Sequence, residues 1–213
     1  MAVIANEADV RAGLDQLLAL DPRLAPVAER AGPLPLRRRA ADFRGLAHII
    51  TGQQVSVASA SAIFSRLEAL ADPFEADVIH ALSDAEIAGA GLSKPKIRAL
   101  RAVAAALSDG LDLAALAETD AVSAHKTLCA IHGVGPWTAD IFLLFCAGHP
   151  DIFPARDIAL QNAVRDAFSL ETRPDPKALD AIAEAWTPWR GIAARLFWAY
   201  YRVMKQGRDG LPV

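Results

Sequence analysis

The sequence predicts an all-α protein. Three observations carry this. Alanine, the best helix former, supplies 45 of the 213 residues. Apolar residues recur at helical spacing in segment after segment, many of them headed by a Ser or Asp cap or a proline. No stretch combines β-branched residues with period-two alternation over strand length. With 53% hydrophobic and 22% charged residues, the chain can bury a real core, which excludes disordered, collagen-like and disulfide-stapled classes.

Val10, Leu14, Leu17 and Leu18 predict a first helix over Glu7–Leu20, stopped by Pro22. A short helix follows over Leu24–Arg30. Residues 32–36 hold two prolines and read as a connector. Asp42 heads a helix with Phe43, Leu46, Ile49 and Ile50, and the next runs from about Val55 to Leu70. Ser83 and Glu86 have capping-box spacing, and Gly89 and Gly91 close that helix. Pro95 opens a helix through Leu107, ended by Gly110. Asp120 caps a helix to Ala130. Gly133-Val134-Gly135 turns the chain, and Pro136 opens a helix through Leu144. Asp157–Phe168 is the next helix. Asp175-Pro176 and Thr187-Pro188 start the last two, near Lys177–Trp186 and Pro188–Lys205, and the tail from Gln206 frays.

The net charge of −3 argues, as a global figure, against a nucleic-acid partner. Two cysteines, Cys129 and Cys146, make no disulfide framework and are too few for an iron–sulfur cluster with four cysteine ligands. A reducing, cytoplasmic location is expected. The N-terminus lacks a basic segment followed by a long apolar one, so no signal peptide is expected, and Ile141–Ala147 is too short to span a bilayer.

The informative segment is Leu128–Asp140: a helix, a glycine-paired turn and a second helix. Gly133 and Gly135 allow tight turning and close approach of another molecule. The second helix presents unpaired N–H groups, which suit a phosphate without any lysine. On the glycines alone an ordinary αα-hairpin is the favoured reading, because glycine turns between helices are common.

The segment resembles the helix-hairpin-helix of the DNA glycosylase superfamily. There the motif is followed by a Gly/Pro loop and an aspartate; here these are residues 148–154 and Asp157. Ile49-Ile-Thr-Gly-Gln-Gln-Val-Ser56 is similar to a block of the 3-methyladenine DNA glycosylase II (AlkA-like) branch, as are Trp186-Thr-Pro-Trp-Arg-Gly191 with Trp198 and Gly91-Leu-Ser-x-x-Lys96. The blocks occur in family order. The resemblance implies a two-lobed helical bundle of the helix-hairpin-helix glycosylase type with a cleft between lobes. It implies a central lobe over about 40–135, and a second lobe from 1–39 and 136–205.

The implied activity is monofunctional hydrolysis of the N-glycosidic bond of alkylated purines in duplex DNA, after base flipping. The substrate is 3-methyladenine first, with 7-methylguanine as a further candidate. Asp157 matches the catalytic aspartate; a helix cap is its other reading. Strand-cleaving relatives carry a lysine where this chain has Trp137, so water is the implied nucleophile. Trp137 and Trp198 match base-pocket positions, where aromatic faces attract a cationic alkylated base; core packing is the alternative. His48 faces either pocket or core. Trp186 and Trp189 read as core. Ile141 and Ile158 stand where some relatives have aromatic residues.

Gln54 and Gln53 are the candidates for the wedge that fills the gap left by the flipped base, Gln54 preferred; a polar loop is their plain reading. The DNA backbone is expected at Gly133, Gly135, Thr138 and Lys96. The main-chain carbonyls of Cys129, Ile131 and Val134 match a Na+ or K+ site. His132 stands where the family has proline. Arg37–Arg39 read as a solvated loop or a DNA contact, and Lys94, Lys96, Arg98 and Arg101 form a second basic cluster. No other cofactor is required, the partner is damaged double-stranded DNA, no membrane is involved, and a monomer suffices. Two other functions fit less of the pattern: excision of deaminated or etheno bases by the same fold, and a non-catalytic DNA-binding module.

Overall fold

A computed structural model of the chain describes residues 3–205. Among them there are thirteen α-helices and no strand. The chain divides into two compact units. One holds residues 39–147; the other holds 3–38 and 148–205.

The unit of residues 39–147 contains α3 (Phe43–Gly52), α4 (Val57–Glu68), α5 (Ala76–Ala81), α6 (Asp84–Gly89), α7 (Lys94–Ser108), α8 (Leu113–Ala117), α9 (Ala121–Cys129) and α10 (Pro136–Phe142), which runs into a π-helical turn, Leu143–Ala147. It continues past residue 135 because α10 packs on α3 and α9, and the buried π turn packs on α8 and α9. Helix α3 is the spine: Leu46, Ala47, Ile49, Ile50 and Thr51 are fully buried, and α4, α7 and α10 lie against it.

In this unit the caps read from the sequence are formed. Asp42 accepts from the Gly45 amide, and Asp120 from that of Ser123. Ser83 and Glu86 bond reciprocally. Helix α4 starts at Val57, capped by Ser56, rather than at Val55. Helices α5 and α8 were not anticipated. At six and five residues they are too short for a periodic signal. Arg101 of α7 donates to the carbonyls of Ile79, His80 and Leu82, closing the end of α5.

In the other unit, α1 (Glu7–Leu20), α2 (Ala25–Ala31) and α11 (Ile158–Ala167) pack on α13 (Arg190–Met204), a 3-10 turn (Pro22–Leu24) lies between α1 and α2, and α12 (Pro176–Ala183) packs on the turn that follows it. Every residue of α13 from Gly191 to Tyr200 is buried, as expected of a helix covered on all sides. Its one buried cation, Arg195, donates to the carbonyls of Pro35 and Leu36; burial, with Arg37 and Arg38, pushes its pKa down to about 10, so it stays charged. Trp186 sits among Phe153, Phe168 and Phe197 and donates to Asp21 (3.0 Å), which makes it core, as read.

Two boundaries move. Helix α12 ends at Ala183 and a 3-10 turn carries Glu184–Trp186. Helix α13 begins at Arg190, not Pro188, because Thr187 is extended and Trp189 is the N-cap. The tail from Gln206 lies outside the described residues.

Candidate active site

Asp157 ends the irregular segment that follows the π turn and caps α11. It is only 6% exposed. Its Oδ1 accepts from the amides of Ala159 (2.9 Å) and Leu160 (3.1 Å) and from the indole Nε1 of Trp198 (3.3 Å). The ionised carboxylate is the form that stabilises a cation or takes up a proton. Cap and candidate catalytic group are therefore one residue. Trp198, 4% exposed, holds the acid through its indole nitrogen and is largely closed off as a stacking face. Gln161, also buried, donates to the Ala155 carbonyl (2.8 Å) and anchors the segment just before Asp157. Ile158, next to the acid, is 60% exposed.

The turn between α9 and α10 separates its two glycines. Gly133 has φ +84, and a Cβ there would collide with Ala99 on α7. Gly135 has ordinary extended backbone and open space around it, so nothing inside the protein demands a glycine there. It is the N-cap of α10 and, as a glycine, contributes no side-chain cap of its own. The Val134 amide donates to the Ile131 carbonyl (3.0 Å) and closes the turn.

Several side chains expected at the DNA are turned inward. Thr138 is 2% exposed, and its hydroxyl accepts from Gln53 Nε2 (2.9 Å); Gln53 also reaches the Gly133 carbonyl (3.4 Å). Gln53 thus ties the end of α3 to the hairpin. Gln54 does the opposite: it is exposed, with φ +56, a left-handed backbone that a non-glycine residue adopts only under constraint. Lys96 donates to the Thr51 carbonyl (2.7 Å) at the end of α3, and burial lowers its pKa. Of the second basic cluster, Lys94 and Arg98 stay exposed, while Lys96 and Arg101 are used within the protein.

His48 packs edge-on against Phe64, with ring centroids 4.6 Å apart, and its Nε2 lies 3.2 Å from an Arg39 nitrogen. Burial, then Arg39 and Arg44, push its pKa down to about 4. The ring is neutral and accepts from Arg39, which leaves the proton on Nδ1, a buried atom without a hydrogen-bond partner. Trp137 is half-buried in the first turn of α10. Ile141 is fully buried and does not line an exposed surface. His125 pairs with Asp140 (3.3 Å), with the Cys129 sulfur 3.7 Å from its Nδ1.

The profile of the HhH-GPD superfamily of base excision DNA repair proteins matches residues 47–188, which include the end of α3, the hairpin and Asp157. The chain belongs to the HhH-GPD superfamily. It is 32% identical, over 86% of its length, to the bifunctional transcriptional activator/DNA repair enzyme AlkA of Mycobacterium tuberculosis; the alignment spans 38% of that longer protein. Among solved structures it is similar to DNA-3-methyladenine glycosidase from Bacillus halodurans (29% identity, TM-score 0.76, 93% of each chain). The Schizosaccharomyces pombe 3-methyladenine DNA glycosylase Mag1, solved with abasic DNA, shares the fold (23% identity, TM-score 0.81, 91% of this chain and 97% of that one). Among the described residues of this HhH-GPD chain, no helix is long and apolar enough to cross a membrane.

Sequence reasoning missed one polar arrangement in the segment that leads to the candidate acid. Asp151, six residues before Asp157, pairs with Arg190 at the start of α13 (2.7 and 2.9 Å). Arg190 lies inside the Trp-rich block, so the signal was an arginine in an otherwise aromatic motif. Its partner is 39 positions away in sequence.

Proposed function

We propose that this HhH-GPD protein is a monofunctional DNA glycosylase that hydrolyses the N-glycosidic bond of alkylated purines in duplex DNA, 3-methyladenine first and 7-methylguanine as a further candidate. The observation that carries the reading is the carboxylate of Asp157, held by three N–H donors at the head of α11. The similarity to the DNA-3-methyladenine glycosidase of Bacillus halodurans, at 29% identity, supports the choice of lesion.

In the proposed reaction the C1′–N bond breaks, its electron pair leaving with the base. A ring-alkylated purine is cationic, so it departs neutral and needs little acid assistance. The sugar acquires oxocarbenium character, which the Asp157 carboxylate stabilises. Water adds to C1′ and loses a proton to Asp157 or solvent. Trp137 replaces the lysine that a strand-cleaving enzyme would need for a Schiff base, so the reaction ends at an abasic site. Trp137 offers the aromatic face to the cationic base. Gln54 is the wedge, since Gln53 is engaged with Thr138.

In this reading phosphate meets the hairpin backbone at Gly133 and Gly135, with a bound cation and local basic side chains, so that a net charge of −3 is no obstacle. Neutral carbonyls of Cys129, Ile131 and Val134 form a donor set suited to Na+ or K+ rather than to a metal that wants carboxylates. Such an ion would supply positive charge facing a DNA phosphate. No other cofactor enters the proposal.

The test is incubation of the full chain with methylated duplex DNA, with the released bases identified chromatographically. Free 3-methyladenine, with strands that break only after alkali, supports the reading. Release of hypoxanthine or ethenoadenine alone from matched duplexes moves the enzyme to another lesion. Binding without any release makes it a non-catalytic module.

A further inference from the structure

We infer that Asp151 and Arg190 are a positioning pair: together they register the segment that ends in Asp157 against α13, which carries Trp198. The inference rests on the catalytic reading of Asp157.

Asp157 is held on one side as the cap of α11; on the other, between Ala147 and Asp157, the chain has no regular structure, so its placement there depends on side-chain and loop contacts. Those contacts converge on the start of α13. The Gly191 amide donates to the Pro150 carbonyl (2.7 Å). Arg190 Nε and Nη2 fork onto the two oxygens of Asp151 (2.7 and 2.9 Å), and Nη2 also reaches the Asp151 carbonyl (3.3 Å). The Arg190 amide donates to the same carboxylate (3.3 Å). Asp151 thereby supplies the cap that Trp189, the N-cap residue, does not. His149 Nδ1 accepts from the Asp151 amide (3.1 Å) and holds the backbone there.

Arg190 and Trp198 are eight residues apart on one helix, about 12 Å. The segment is therefore attached to α13 near both ends, by the ion pair at one and by Asp157–Trp198 at the other. The second attachment, at 3.3 Å, is already long for an N–H···O bond and has little slack. A slide or rotation of α13 permitted by losing the first would break it.

Removing the pair need not unfold the unit. The Arg190 side chain is 33% exposed, and Asp180 and Glu184 also act on its charge, so losing Asp151 leaves no isolated buried cation. Asp151→Asn keeps an oxygen for the helix cap but loses the charge pair. Arg190→Lys keeps the charge but loses the fork.

The experiment measures single-turnover base release from methylated duplex and affinity for an abasic duplex. It uses the full chain, D151N, R190K, W198F and the double variant D151N/W198F. Melting temperatures are recorded for each. Both D151N and R190K are expected to release base at least about tenfold more slowly, with abasic-duplex affinity within about twofold of wild type. W198F should cost much less on the D151N background than alone, because both act through the same contact. Release within about twofold of wild type by both single variants overturns the inference. So does additivity of D151N and W198F, or a parallel loss of rate and affinity that follows the loss of stability. Should D151N fold poorly, R190K decides alone by the same rate-against-affinity criterion. An inactive wild type would sink the catalytic reading itself; an active wild type with additive variants sinks only the positioning pair.

Discussion

The indole nitrogen of Trp198 donates to Oδ1 of Asp157 at 3.3 Å, the same oxygen that caps α11. The tryptophan therefore serves the acid directly. Trp198→Phe keeps the ring and removes the donor. Hydrogen bonds to charged groups are worth about 1.5–3 kcal/mol, so base release should slow by roughly tenfold or more. Single-turnover kinetics check this. The thermal midpoint should fall modestly, since the smaller phenyl leaves a cavity at this buried position, so the rate is compared at a temperature well below it.

The two adjacent glutamines should separate. Gln53→Ala removes the donor to the buried Thr138 hydroxyl and should cost about 1 kcal/mol of stability in urea unfolding. Gln54→Gly relieves a left-handed backbone and should leave stability unchanged or raise it by up to about 1 kcal/mol. Yet it removes the wedge. Release from a base-paired lesion should fall more than release from a lesion opposite a gap.

The two hairpin glycines should separate in the same way. Gly133→Ala meets both a positive φ and Ala99, and should destabilise by more than about 2 kcal/mol. Gly135→Ala meets open space and ordinary backbone, so stability should stay within about 1 kcal/mol. If DNA approaches that position, Gly135→Ala weakens duplex binding in a titration while the melting curve holds.

His48 makes stability fall with acid. Its pKa is lowered from 6.5 to about 4 in the fold, so between these values the unfolded chain binds more protons. The stability it preserves is complete above pH 6.5 and is lost as pH falls toward 4. Allowing for the ring's partial exposure, the loss is about 1–2 kcal/mol. Urea unfolding of wild type and His48→Gln at pH 7.5 and 4.5 should show a smaller acid loss in the variant.

Much of this was legible in the sequence, and what was not has a common cause. Asp42, Ser83, Asp120, Asp157 and Asp175 cap the helices they were expected to cap, because a cap bonds amides two or three residues on. Helices α5 and α8 escaped because one turn or so carries no period. Lys96 and Thr138 are expected at the DNA from the family-like blocks they lie in. Their partners, the Thr51 carbonyl and Gln53, lie 45 and 85 positions away, and no local pattern records such pairings. The Asp151–Arg190 pair was hidden in the same way.

The central claim is that Asp157 carries the chemistry, and Asp157→Asn tests it cleanly. Asparagine caps a helix as well as aspartate does, so the variant should fold and keep its affinity for damaged duplex. It removes the charge alone. The measurement is base release from methylated duplex DNA by this variant beside wild type. The account predicts bound DNA and almost no released 3-methyladenine; release at near the wild-type rate would contradict it.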